Sequence, residues 1–242
     1  DFSEDGLSCI TSVSGNQGTG KKLLTRRTLN SLSKEAKMNT ELLLIECEKK
    51  NIVSLLTDLI GFFVRIHKKQ VKDELILNAS IDELWNLVQQ LSDNLAVNSL
   101  IMFDSAESID RRLMKKMIAL AKKRTKMNLL FSFNISGSTM KMVEIYNCDK
   151  NIQMPEFKNS ELYSITKDRA DMAFKSGLPT PMLAFVVDSV KEFGAKNPGS
   201  CVDFLKEIYP TIYANNEISA DEARFHARYH FELKMMDSIS IA

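Results

Sequence analysis

GNQGTGKK, residues Gly15–Lys22, is the stretch on which the reading of this chain turns. It fits the phosphate-binding pattern G-x-x-x-x-G-K-[ST] at every position but the last, where Lys22 replaces the hydroxyl residue. In such a loop the glycines let backbone N–H groups converge on phosphate oxygens. The lysine neutralises the outer phosphates, and the following helix adds its N-terminal dipole. A glycine-rich turn alone would prove little, so the flanks matter. Leu7–Val13 (LSCITSV) reads as a short buried strand running into the loop. Lys21–Ser33 carries Leu23, Leu24, Leu29 and Leu32 at helical spacing. Strand, glycine loop, helix is the context the pattern requires. The candidate nucleotide-binding residues are therefore Gly15, Gly18, Thr19, Gly20, Lys21 and Lys22.

Beyond the loop, strands and helices alternate. Glu41–Cys47 (ELLLIEC) reads as a strand, and Ile52–Ile66 as a helix with a strong apolar face. Ile81–Leu95 reads as a helix opened by Ser80 and Glu83, a capping-box pair. Leu100–Phe103 is a strand ending on Asp104, Asp110–Lys123 a basic amphipathic helix, Asn128–Phe133 a strand ending on Asn134, and Ile152–Met154 a last short strand. After Pro155 only helices are expected: Ser160–Lys175, Pro181–Phe193, Cys201–Tyr213 and Ala220–Leu233, the last with a Ser219–Glu222 cap. Gly177 and Gly194 stand where helix-ending glycines belong. The pattern predicts an α/β domain over residues 1–156 and a small all-helical lid domain over 157–242.

In a parallel α/β sheet, ligands lie at the carboxyl ends of the strands. Three strands here end on the glycine loop, on Asp104 and on Asn134. A carboxylate in the second position orients magnesium or its waters, and an amide in the third positions an attacking water. Asp104 and Asn134 are the catalytic candidates of an active site, alongside ATP or ADP as cofactor and magnesium as its metal.

Bulk properties exclude several classes. The chain has 242 residues, is 44 % hydrophobic and 26 % charged, and carries a net charge of +1, so neither polyanion nor membrane-surface binding follows from composition. Cys9, Cys47, Cys148 and Cys201 are widely spaced and form no C-x-x-C, which fits a reducing compartment and buried thiols. No apolar run is long enough to span a bilayer and no signal peptide is evident, so no membrane partner is expected. A start at Asp1 suggests a piece of a longer protein.

With these residues in order, the chain resembles an AAA+ ATPase module, most similar to the origin-recognition and cell-division-cycle initiator family of archaea and eukaryotes. ITSVSGNQGTGKKLL resembles that family's Walker A segment, LIMFDSAESI its Walker B segment, and FSFNISG its sensor 1 strand. IQMPEFKNSELYSITKDRADMAF resembles the start of its helical lid, and EFGAKNPGSCVDFLKEIY the lid helix that normally carries sensor 2. The resemblance covers residues 7–235. It implies the AAA+ P-loop fold, with a parallel five-stranded sheet flanked by helices and then a small helical lid. The family usually adds a C-terminal winged-helix DNA-binding domain, which this stretch does not include.

The departures fall on catalytic groups. Lys22, a donor only, cannot ligate a cation, although it can supply part of a metal's charge. Ser105 replaces the glutamate that would polarise water, and a hydroxyl is a poor base at neutral pH. Glu107 holds the later acidic position, two residues on. Gly199 falls where the sensor 2 arginine belongs, and near Ser138–Ile145, where the family offers an arginine finger, only Lys141 is found. Loss of an arginine finger alone costs roughly a thousandfold or more in rate. Little or no ATPase activity is expected.

Other features have structural readings. Arg111–Lys126 holds eight basic residues. Arg111, Arg112, Lys115, Lys116, Lys122, Lys123 and Arg124 are the candidates for DNA or partner contact, set against the solvated side of a helix whose Leu113, Met117 and Leu120 are core. Glu222, His226 and His230 have ligand-like spacing but no fourth ligand, so no metal site is assigned. Trp85, His67 and the twelve methionines read as structural. The expectation is a non-catalytic module that assembles with other AAA+ subunits or chromatin proteins, in replication initiation or a derived silencing process. DNA contact would come through a part outside this chain. The setting would be intracellular: nuclear in a eukaryote, cytoplasmic or nucleoid in an archaeon. The alternatives are an active ATP-dependent initiator or clamp-loader-like switch and, behind it, a STAND-type signalling NTPase.

Overall fold

The computed structural model describes residues 8–16, 18–34, 40–68, 76–134, 148–173, 177–178, 180–193, 196–215, 225–226 and 229. The expected Ser219–Glu222 cap, most of the helix expected at 220–233, Gly194, and the Ser138–Ile145 segment with Lys141 lie outside them.

The first unit comprises Asp1–Gly15 and Lys21–Met154. Its sheet contains β1 (Ile10–Gly15), β2 (Thr40–Glu46), β3 (Asn98–Asp104), β4 (Met127–Asn134) and β5 (Lys150–Gln153). The strands lie in the order β2-β3-β4-β1-β5 and every pairing is parallel. The central strands are apolar on both faces, as a parallel sheet covered by helices requires. On one face Ile101, Phe103, Leu129, Phe131 and Phe133 join the main core, with Phe103 and Phe131 stacked at 5.1 Å between ring centroids. On the other, Leu100 and Met102 cluster with Leu42, Leu44 and Leu130. Asn128, buried in β4, accepts from the Cys9 N–H at 2.8 Å and donates to the Ser99 carbonyl, tying β4 to both its neighbours.

Helices α1 (Lys21–Lys34), α2 (Ile52–His67), α3 (Ile81–Leu91) and α4 (Arg111–Ala121) connect the strands. Side chains start three of them: Asn51 caps α2, Ser80 and Glu83 form the expected capping box on α3, and Asp110 caps α4. Helix α3 stops at Leu91, short of the expected Leu95. The chain turns there, the Ser92 hydroxyl donating to Gln89 O and Asn94 taking a left-handed φ of 51°. Leu95 is buried beyond the helix, since an apolar residue can reach the core from a turn as well as from a helix. On α1, Leu23 and Leu24, two of the apolar residues at helical spacing, are each 47 % exposed. Lys21 and Thr25, one turn apart on the same helix, are buried. Trp85 is buried as expected, with the Lys116 ammonium 5.7 Å from its ring centroid.

The second unit comprises Asn16–Gly20 and Pro155–Ala242. Its helices α5 (Asn159–Ala173), α6 (Thr180–Phe193) and α7 (Pro198–Asn215) bury Leu162, Val186, Val190, Phe204 and Ile208 together. Helix α7 begins three residues before the expected Cys201. Asn197 accepts from the Ser200 N–H at 2.9 Å as its cap, and Pro198 sits at its first position. Gly177, at a φ of 66°, takes the left-handed conformation foreseen for a residue beyond a helix.

Candidate functional site

The carboxyl ends of β1, β2, β3 and β4 carry the charged residues of the first unit's site. Glu46 and Asp104 close β2 and β3 and face each other in register. Gly15 and Asn134 close β1 and β4, also in register. Asp104 and Asn134, picked out as strand ends, therefore lie on one edge of the sheet.

The loop from β1 to α1 has the conformation a phosphate loop needs at two positions. Gly18 and Gly20 adopt φ of 80° and 81°, a region that disfavours any side chain. Thr19 closes the turn, its hydroxyl donating to Asn16 O at 2.8 Å. Lys21 is 5 % exposed and donates from Nζ to the Gly15 carbonyl at 2.8 Å. Burial pushes its pKa below the ordinary lysine value, while the carboxylates of Glu107 and Asp104 act in the opposite direction. Within the second unit, the Gly199 N–H donates to the Gly18 carbonyl at 3.3 Å. A Cβ on Gly199 would stand 2.9 Å from the Gly18 Cα. The position where an arginine was sought thus admits no side chain without displacing backbone.

These residues fit a polyphosphate. The first N–H groups of α1 have no partner within the helix, its dipole favours an anion, and Lys21 sits at its start. They do not fit magnesium. The Lys22 ammonium lies 2.7 Å from Glu46 Oε1 and 3.6 Å from Asp104 Oδ2. Arg26 reaches the same Glu46 oxygen at 2.8 Å. Magnesium demands near-octahedral oxygen ligation. Here the hydroxyl that the pattern places at position 22 is missing, and the strand-end carboxylates already hold a cation that can only donate. The Lys22 hydrogen bond and charge, with Arg26 adding to them, hold the Glu46 carboxyl below its ordinary pKa.

Ser105 begins the 3₁₀ turn Ala106–Ser108 with a left-handed φ of 55°. Its hydroxyl makes no capping bond, and it offers no carboxylate. Glu107, two residues on, instead grips Asn134. Oε1 accepts from the Asn134 side-chain amide at 2.7 Å and Oε2 from its backbone N–H at 3.0 Å. The acidic residue in the Walker B-like segment is therefore a holder of Asn134. Beside it lies an open cleft of about 570 Å³ lined by Lys50, Asn51, Leu55, Glu107, Asp110 and Arg111. Four of its polar groups are engaged: Asn51 and Asp110 cap helices, Lys50 pairs with Asp58, and Glu107 holds Asn134.

Of the basic residues, Arg111, Arg112, Lys115, Lys116, Lys122 and Lys123 are exposed. Arg124 is half-buried and pairs with Asp93 at 2.9 Å, while Lys116 covers Trp85. His67, at the end of α2, donates from Nε2 to Leu91 O at 2.7 Å, a structural tie between helices. His226 is described, but Glu222 and His230 lie outside the described residues. Sequence reasoning missed Glu46. Its signal was an acidic residue ending a strand beside the strand that ends on Asp104.

A family profile described as AAA domain matches residues 8–137, more than half of the chain. The chain belongs to the AAA domain family. Its parallel five-stranded sheet flanked by helices is that of an AAA+ P-loop fold. The Orc2 protein of Aeropyrum pernix, solved in ADPNP–ADP complexes, matches with a TM-score of 0.67 and 17 % identity, over 93 % of this chain and 63 % of that one. Cdc6p of Pyrobaculum aerophilum gives 0.60 and 18 % over 86 % and 56 %, and the A. pernix Orc1 protein, solved in complex with DNA, gives 0.62 and 14 % over 95 % and 59 %. At these identities the likeness is one of fold, and the chain spans under two thirds of each relative's length. No curated protein sequence matches it. No helix among the described residues is long and apolar enough to cross a membrane.

Proposed function

We propose that this AAA+ module is a non-hydrolysing member of a replication-initiator-like assembly, acting through contacts with other AAA+ subunits or chromatin proteins. One observation carries the reading: Asp104, the carboxylate an ATPase would leave to its metal, is 9 % exposed and faces the Lys22 ammonium. Ser105 in the base position and Gly199 in the sensor 2 position support it. Likeness of fold to the archaeal Orc and Cdc6 proteins supports the initiator setting, and one of those relatives was solved with DNA. In a eukaryote the module would work in the nucleus, in replication or a derived silencing process.

Without a free metal position or a base, the residues can bind and orient phosphates but have no group to activate water. Lys21 supplies charge, the glycines supply N–H access, and Asn134 is fixed by Glu107. The test is phosphate release from magnesium-ATP, alone and with DNA or candidate partner subunits added. The expected result is a rate at background, unchanged by Asp104→Ala. Release above background that collapses in Asp104→Ala would establish the second reading, an ATP-driven switch. The intact glycine conformations and the buried Lys21 favour that reading.

A further inference from the structure

Magnesium normally stands between a triphosphate and the carboxylate that ends β3. In this protein that position belongs to Lys22. Its ammonium is the cation shared by the facing strand ends Glu46 and Asp104. Arg26 shares Glu46. Lys21, the neighbouring lysine, donates to Gly15 O. Lys22 and Arg26 thus neutralise Glu46 and Asp104 with no metal added, and Lys21 stands close enough to Glu107 and Asp104 to feel their charge.

We infer that Lys22 is a tethered replacement for magnesium, so that a nucleoside polyphosphate binds this loop in its metal-free form with the Lys22 ammonium as its counter-charge. The inference deepens the proposed function by assigning the ligand's form. It also supplies a physical reason for lost hydrolysis: an ammonium can neutralise phosphate charge but cannot ligate or acidify a water. The Lys22 side chain is 43 % exposed. It can therefore turn from Glu46 toward an incoming phosphate while Arg26 keeps Glu46 neutralised and Lys21 stays within reach of the Asp104 charge.

The test is titration of a fluorescent ATP analogue into the whole chain, in EDTA and in excess magnesium, for the wild type, Lys22→Ala and Lys22→Thr. Wild-type affinity should be equal or weaker in magnesium. Lys22→Ala should weaken binding about tenfold or more in EDTA, roughly one lost charge pair. Lys22→Thr, which restores the loop hydroxyl, should be equally weak in EDTA and should recover with magnesium. Wild-type binding tightened about tenfold or more by magnesium would overturn the inference, as would no wild-type binding at millimolar analogue in either buffer. If Lys22→Thr binds like wild type in EDTA, the inference also fails. Thermal melts of the three proteins separate lost binding from lost fold. Failure here is distinct from failure of the non-hydrolysing reading, because that reading falls only if phosphate release depends on Asp104.

Discussion

Glu107→Ala tests the grip on Asn134 most directly. The carboxylate accepts two hydrogen bonds from one residue, at 2.7 and 3.0 Å. Hydrogen bonds to an ionised acceptor contribute about 1.5–3 kcal/mol each when buried. Both groups here are half-buried, so water recovers part of that and a total near 2 kcal/mol is the working figure. For a chain of this length, each kcal/mol moves the melting temperature by about 2–4 °C, so the variant should melt about 4–8 °C lower. Glu107→Gln separates charge from shape. It keeps one acceptor oxygen, sets its own N–H₂ against the other donor, and should lose about half as much or more. Melting followed by circular dichroism gives the stability, and the backbone amide resonance of Asn134 gives the local bond. That resonance should move upfield when its carboxylate partner is removed. A melting change under about 1 °C with an unmoved Asn134 amide would refute the assignment of Glu107 as the holder of Asn134.

Four further outcomes are expected. Glu46 has a carboxyl pKa below its ordinary 4.5, so the stabilisation from Lys22 is present above that pH and is lost as pH falls through the lowered value. The melting difference between wild type and Lys22→Thr, present at neutral pH, should vanish in acid, and a difference that persists there would discredit the pairing. Burial pushes the Cys47 thiol up to about 12 and raises Cys148 and Cys201 as well, so native protein should react rapidly with a thiol reagent at Cys9 alone, the other three reacting only in denaturant. Phe131→Ala empties the centre of the sheet's main core, where Phe131 is fully buried and touches two other rings. It should cost about 3–5 kcal/mol in a denaturant titration. Ser105→Glu should leave phosphate release at background, because the restored carboxylate still faces an Asp104 held by Lys22. Turnover in that single variant would place the defect at residue 105 alone.

The fold and half of the site could be read from sequence because their signals are local. Asp104 and Asn134 each follow an apolar strand directly, and the rule that ligands lie at strand ends needs no partner to be known. The helix caps at Ser80 and the φ at Gly177 are likewise set by a few adjacent residues. What escaped depends on register. Glu46 becomes part of the site because β2 lies beside β3 with Glu46 opposite Asp104, a pairing of residues far apart in sequence. Glu107 reaches Asn134 because the left-handed turn at Ser105 redirects the chain, and nothing in the letters DSAE announces that turn. In α1 helical spacing fixes which residues share a face but not which face is buried, and Leu23 and Leu24 are half exposed. The buried face is the one that carries Lys21 and Thr25.

Lys22 shows why the structure changes the meaning of a degenerate motif. On sequence it is one missing hydroxyl among several missing groups, and a site decaying without constraint would leave the strand-end carboxylates unneutralised. Asp104 is buried, and a buried carboxylate without a partner is costly, so such decay would be felt as lost stability. In the folded chain the substituted residue supplies the neutralising charge itself, and Arg26, one turn along the same helix, holds Glu46 in place beside it. Restoring threonine at position 22 without magnesium should therefore lower stability even though it brings the loop closer to its family pattern. Adding magnesium should return the stability that threonine removed. Those opposed effects separate a site rebuilt around an ammonium from one that has merely lost a ligand.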